Sequence, residues 1–322
     1  MTTRRRFLKM SAAVGTGALT LGGGSLFVVS RVRASAQVPQ TPLPGANIPQ
    51  FVEPLPTFGG NRVTAPNLAV RMLEFQQKIL PASVYSGLAS PFNQGTYVWG
   101  YQVDHKPPSF PGFTIEAQRN TATTIVYVNN LPQSHSQLEP LLTIDQTIHW
   151  ADPKNQMGST QPFTGTIPTV VHLHGAEVPS AFDGAPEAWF TPDGLHGKGY
   201  SSLFSVPRNA AVYRYPNTQP ATALWFHDHA LGITRINVFS GLAAFYLLRD
   251  QFDTGQPSNP LRLPAGNQEV ELMIQDRQFD THGQLLFPDG TPADNPTVSM
   301  VLHQTLLCIL SGFQSSSVMP CS

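Results

Sequence analysis

The sequence predicts an all-β Greek-key sandwich, and three observations support that fold class. Charged residues make up only 12% of the chain while proline (30) and glycine (26) are abundant, a composition of many short strands and turns. Segments rich in β-branched and aromatic residues follow one another densely after Thr96, each bounded by turn residues. No helix-period pattern of ten or more residues competes with them, apart from a weak candidate near residue 75. The 322 residues allow two domains or one large all-β unit. The apolar fraction, 41%, is too evenly spread for a multi-span membrane protein.

Residues 1–36 read as an address. Thr3-Arg4-Arg5-Arg6-Phe7-Leu8-Lys9 fits the twin-arginine export pattern, a weakly apolar run follows to Ser30, and Ala34-Ser35-Ala36 offers a small-residue cleavage site. The expectation is a periplasmic or extracellular protein with no membrane attachment after cleavage. The address takes six basic and no acidic residues from the 19 basic and 20 acidic of the chain, leaving a net charge of −7. Bulk electrostatics of that sign exclude nucleic acid as a partner.

Residues 37–66 are Pro-rich and polar, a linker or surface-draped arm. Asn67 to Ser90 suggests a strand and a short helix. Strands are then expected over Thr96–Tyr101, Phe113–Ala117, Ala122–Val128, Thr169–His174, Ala211–Tyr215, Thr222–His229 and Gly241–Leu248, completing a first domain over residues 67–250. The long Gly-, Pro- and Asp-rich loop between His174 and Ala211 reads as functional. Gln251 to Gly266 is a polar boundary, and Glu269–Ile274 opens a further strand. Only about fifty residues follow it, ending in the patternless Ser315–Pro320, so residues 251–322 are expected to be a linker and a truncated second domain. Cys308 and Cys321 lie in the last fifteen residues and cannot staple the body of the protein.

The chemistry sits in two stretches, Val171-His172-Leu173-His174-Gly175 and Trp225-Phe226-His227-Asp228-His229. Side chains two apart on a strand share a face, so each stretch presents two imidazoles in one direction. Four neutral imidazoles make a transition-metal site that copper, zinc or nickel would accept. Asp228 falls on the opposite face, Trp225 and Phe226 are read as packing, and Glu177 and Glu187 as candidates for supporting the ligands. His105, His135, His149, His196, His282 and His303 lack a partner at ligand spacing and read as surface or loop residues.

With these flanks the two stretches resemble the first two copper-binding motifs of the multicopper oxidases. Phe110-Pro111-Gly112-Phe113-Thr114-Ile115-Glu116 and Asn129-Asn130-Leu131-Pro132 extend the resemblance. Asp183-Gly184-Ala185-Pro186-Glu187-Ala188-Trp189-Phe190, Tyr215-Pro216-Asn217, Thr234-Arg235-Ile236-Asn237-Val238 and Gln275-Asp276-Arg277 are similar to the spore-coat laccase and bilirubin-oxidase branch, over residues 66–290 in all.

The resemblance implies cupredoxin-like sandwiches, the second of them incomplete in this chain. It implies a copper-binding oxidoreductase that couples laccase-like oxidation of phenols, metal ions or tetrapyrroles to reduction of dioxygen to water. By correspondence His172 would bind the type 2 copper of a trinuclear cluster, and His174, His227 and His229 the type 3 coppers. Asp183 would assist proton delivery. The blue-copper site has no counterpart, because no His-Cys-His triplet occurs: Cys308 lies between Leu307 and Ile309, and Cys321 between Pro320 and Ser322. The family's third and fourth histidine motifs are missing as well, leaving half of the cluster's ligands. Dioxygen and a small reducing substrate are therefore expected partners only if missing domains complete the site, and activity of the chain alone is not expected. The alternatives are a non-catalytic exported copper-binding or structural domain, or the product of a truncated or frameshifted gene.

Overall fold

The computed structural model describes residues 38–54, 62–64 and 66–288, together with the backbone of 306–307. The export signal, His303, both cysteines and the C-terminal Ser315–Pro320 lie outside the described residues. Among the described residues no helix is long and apolar enough to cross a membrane.

The strands are β1 (Arg62–Val63), β2 (Asn67–Gln77), β3 (Thr96–Val103), β4 (Gly112–Gln118), β5 (Thr123–Asn129), β6 (Val171–His174), β7 (Ala210–Tyr215), β8 (Thr222–Asp228) and β9 (Ala243–Arg249). They form a five-stranded sheet in the order β1-β4-β9-β8-β6 and a four-stranded sheet in the order β3-β2-β5-β7. Three pairings are parallel, β1 with β4, β4 with β9, and β2 with β5; the remaining pairings of these sheets are antiparallel. The protein is mostly β, a sandwich as its strand patterns predict and cupredoxin-like as the family resemblance implies.

Period-two burial explains why the sheets stack. In β5, Thr123, Ile125, Tyr127 and Asn129 are buried while the residues between them are half-buried. Tyr101 of β3 and Tyr127 of β5 reach across to Phe226 of β8, with ring centroids 4.9 and 6.1 Å apart, and Tyr215 of β7 meets Tyr246 of β9 at 5.9 Å. Each such ring contributes roughly 1.5–3 kcal/mol by leaving water. Their hydroxyls need partners when buried. Tyr246 donates to Asn217 Oδ1 at 2.8 Å, and Tyr215 to the Tyr127 oxygen at 3.3 Å.

Among the described residues two α-helices accompany the strands, α1 (Ala82–Tyr85) and α2 (Thr234–Ser240), besides short 3-10 turns. The weak helix candidate near residue 75 instead lies within β2, and the helix of the Asn67–Ser90 stretch is the single turn α1. Helix α2 is missed by sequence periodicity because seven residues give fewer than two turns of pattern. It buries Ile236, Asn237 and Ser240 and ends at Gly241, whose N–H closes on the carbonyls of Asn237 and Val238.

The strand expected over Glu269–Ile274 does not form; the next strand is β10, Gln275–Asp276, paired with the backbone of β11, Leu306–Leu307. The segment alternates in burial as a strand would, with its charged residues inward. Glu269 and Glu271 point at the sandwich and bind Arg249 and Arg62, whereas Val270, Leu272 and Ile274 are exposed. Ion pairs, not a ladder, hold this segment down. Beyond it, residues 279–287 return to the first strands. Gln284 accepts from the Tyr97 N–H, Phe279 O accepts from Leu43 N–H, and Gln40 donates to Leu285 O.

Candidate metal centre

Strands β6 and β8 are neighbours at one end of the five-stranded sheet, and their register decides the site. His172 stands opposite His227, and His174 opposite Trp225. His229, one residue past β8, donates its N–H to Val170 O at 2.8 Å and so continues the pairing beyond the strand. Two sequence-distant pairs thereby become one cluster. Ring centroids lie 4.9 Å apart for His172 and His229, 5.5 Å for His174 and His227, 5.6 Å for His172 with either His174 or His227, and 5.8 Å for His227 and His229. The indole of Trp225 stacks on His227 at 4.1 Å and on His174 at 5.2 Å.

Hydrogen bonds fix two tautomers. His227 Nδ1 lies 2.7 Å from Asp228 O, and His172 Nδ1 lies 2.6 Å from Asp183 O. A carbonyl can only accept, so both Nδ1 atoms carry the proton and both Nε2 atoms are left as lone-pair donors to a metal. The Asp183 carboxylate stands 3.3 Å from the same His172 nitrogen. Asp183 is thus brought to one ring of the cluster from the loop after β6.

Burial pushes His227 down to about 4, its bond to Asp228 opposing and the neighbouring imidazoles adding to the effect. His229 is lowered for the same first reason, with His172 contributing. Both are neutral at physiological pH, the form a metal requires.

The fit to a metal is partial and specific. His174 Nδ1 and His227 Nε2 are 3.2 Å apart. Two nitrogens bound at about 2.0 Å to one tetrahedral ion stand about 3.3 Å apart. This pair forms a ready edge of a coordination shell, His172 and His229 flank it, and His229 Nδ1 is buried without a hydrogen-bond partner. Among the described residues no three His, Cys, Asp or Glu side chains already converge as one closed site. The donor chemistry therefore suits copper as it does zinc or nickel, with coordination still to be closed by further ligands or by movement of the rings.

The remaining candidates stay apart from the cluster. Glu177 and Glu187 are exposed and make no hydrogen bond to the four rings. His196 stacks on Tyr200, and His282 lies against Phe92. Beside Trp225 and His227 opens a cavity of about 770 Å³, walled by Phe239, Phe245 and the segment from Leu272 to Gln278.

Asp228 is the residue whose role sequence reasoning passes over. It is fully buried, and its carboxylate accepts from Val170 N, Ala230 N and Asn237 Nδ2. Burial pushes it up to about 7, against the pull of those three donors. The signal was its parity: between two outward imidazoles on a strand, position 228 must face the core, where a carboxylate requires partners.

No protein-family model matches the chain. Curated relatives do. The laccase of Bacillus subtilis is 37% identical over 205 residues, 64% of this chain and 34% of that protein. The laccase of Bacillus stratosphericus is 38% identical over 62% of this chain and 34% of its own length. The laccase of Haloferax volcanii is 29% identical over 89% of this chain and 42% of its own length. Among solved structures, the multicopper oxidase of Campylobacter jejuni covers 82% of this chain and 41% of that chain at 18% identity and a TM-score of 0.48. The chain spans about a third of the length of the Bacillus laccases it matches. By the sequence likeness that covers about 60% of its length, the chain is a relative of the multicopper oxidases.

Proposed function

We propose that this chain binds copper through His172, His174, His227 and His229 and supplies one wall of an oxygen-reducing centre of the multicopper oxidase type. The observation that carries the proposal is the 3.2 Å approach of His174 Nδ1 to His227 Nε2 across two hydrogen-bonded strands. In this reading His172 takes the type 2 position, and His174, His227 and His229 the type 3 positions. Copper held there would supply one-electron redox chemistry for the reduction of dioxygen, with electrons from a small reducing substrate entering through parts this chain does not contain. The chain's own residues orient and protonate. The Asp228 and Asp183 carbonyls hold the His227 and His172 rings with Nε2 outward. Asp183 both steadies His172 and keeps a carboxylate beside the cluster for proton delivery.

The proposal includes residues 67–250 as the ligand-bearing domain, residues 251–322 as the start of a second, residues 37–66 as the arm, and residues 1–36 as a cleaved twin-arginine signal that directs the protein to the periplasm or beyond. It also limits the activity. The 322 residues contain no His-Cys-His triplet, so the chain alone takes up copper without an intense blue absorption and without oxidising phenols.

Copper titration of the 322-residue chain, with uptake measured by elemental analysis, tests the site. The wild type is expected to take up copper, and His174→Ala and His227→Ala to lose the tight fraction. Equal uptake by all three proteins would refute the ligand assignment.

A further inference from the structure

We propose that Asp228 and Asn237 are positioning residues that set the spacing between the two histidine pairs. The inference deepens the copper-site reading and rests on it for its functional meaning. Asp228 lies between His227 and His229 in sequence, yet its carboxylate points away from the rings into the sandwich. There it binds the residue that leads into β6, the turn after its own strand, and helix α2. One carboxylate oxygen accepts from Val170 N at 3.0 Å; the other accepts from Ala230 N at 3.0 Å and Asn237 Nδ2 at 2.9 Å.

The Val170 contact links the two strands. Val170 lies two residues before His172, and the next residue, Val171, is the cross-strand partner of Asp228. The Val170 peptide is held on both sides: its N–H by the Asp228 carboxylate, its carbonyl by the His229 N–H at 2.8 Å. The approach to the first histidine pair is thus tied to the second at Asp228 and at His229, by a carboxylate and a backbone bond.

Asn237, on α2, extends the clamp. The two N–H bonds of its amide nitrogen go to Asp228 Oδ1 and, at 3.0 Å, to Pro168 O. Both side chains are fully buried, so water cannot replace a lost bond at low cost. Neither residue touches the metal position. Each acts through where it holds a ligand-bearing strand.

Asp228→Asn keeps the volume but turns an amide NH₂ toward donors that need an acceptor. In the metal-free 322-residue chain, nitrogen-correlated NMR spectra of the imidazoles are expected to show shifted His172 and His229 rings. Copper affinity is expected to fall about 10–100-fold, the range for groups that orient metal ligands. Tyr246→Phe is the control for general destabilisation, since its hydroxyl bonds Asn217 and Thr123 within the sandwich core. It should lower thermal stability while leaving the four rings and the copper affinity unchanged. Asn237→Ala, which removes one donor to the carboxylate, carries the same two readings if Asp228→Asn does not fold. Unshifted rings in a folded variant, or an unchanged copper affinity, would overturn the proposal. If the wild type binds no copper, the metal reading fails, and the ring spectra alone still decide whether Asp228 positions the histidines.

Discussion

Alanine at position 184 is expected to cost far more than alanine at position 266, although both glycines have positive φ. Gly184 sits at φ +73° and Gly266 at φ +59°. A side chain at either pays about 1–2 kcal/mol for the left-handed conformation. At Gly266 an added Cβ meets nothing within 4 Å. At Gly184 it meets Val171 O at 1.9 Å and Val171 C at 2.6 Å, backbone of the strand that carries His172 and His174. That contact cannot be relieved by rotating a side chain; β6 or the loop must move. Overpacking of this kind adds about 1–3 kcal/mol. With roughly 2–4 °C of melting temperature per kcal/mol for a domain of this size, Gly184→Ala should melt on the order of 10 °C below the wild type. Gly266→Ala should fall only a few degrees. Because the loop also brings Asp183 to His172, the same variant should lose tight copper uptake. Matching thermal melts for the two alanine variants would show that the loop does not press on β6.

The second large effect is expected at Arg249. Its side chain is only 5% exposed and binds Glu116 at 2.6 Å, Glu269 at 2.6 Å and Asp253 at 3.0 Å. Burial alone would lower its pKa, but hydrogen bonds to Glu269 and Glu116 hold it above the ordinary arginine value. Arg249→Met would leave Glu116 and Glu269 together with Arg62 as their remaining counter-charge. Breaking a buried pair by removing one partner costs 3–5 kcal/mol; with the carboxylates still partly exposed, about 3 kcal/mol is expected here.

The sign of the pH effect follows from Glu269, which its bond to Arg249 holds below the usual glutamate range against the opposing effect of burial. A lowered folded pKa gives stability that is fully present above the unfolded value and is lost as pH falls through the folded one. The wild type should therefore exceed Arg249→Met by its full margin at neutral pH, and the two should converge in strong acid. Urea unfolding at both pH values measures this, and a margin independent of pH would show that the carboxylates do not depend on Arg249.

How much of this was legible in the sequence depended on the range of each interaction. Every strand expected between Thr96 and Leu248 exists, with ends displaced by one or two residues, because alternation over six or seven residues is a local signal. The histidine pairs were legible for the same reason. What the sequence could not show was that His172 would stand opposite His227, since register between segments fifty-five residues apart is set by packing. Asp228 was read correctly as facing away from the rings, but two of its three partners, Val170 and Asn237, are brought to it only by the fold. Glu269–Ile274 misled because alternation marks two faces without saying which faces inward. Arg62 and Arg249 drew the glutamates toward the sandwich and left the apolar face exposed.

The place of β9 in the five-stranded sheet has a consequence for how the protein is made. This strand lies between β4 and β8, pairing with one in parallel and the other antiparallel, yet it is the last of the sheet's five strands to be synthesised. Until residue 249 has left the ribosome, the antiparallel β6–β8 pair and the β1–β4 pair have no strand to join them, and each presents an open edge. Closing the sheet then requires contacts across more than a hundred residues, the kind of topology that folds slowly and leaves β edges exposed meanwhile. The nascent chain thus carries its histidine-bearing strand pair without β9 beside it until that strand arrives. The interval before β9 emerges is when this protein is most exposed to mispairing with its neighbours.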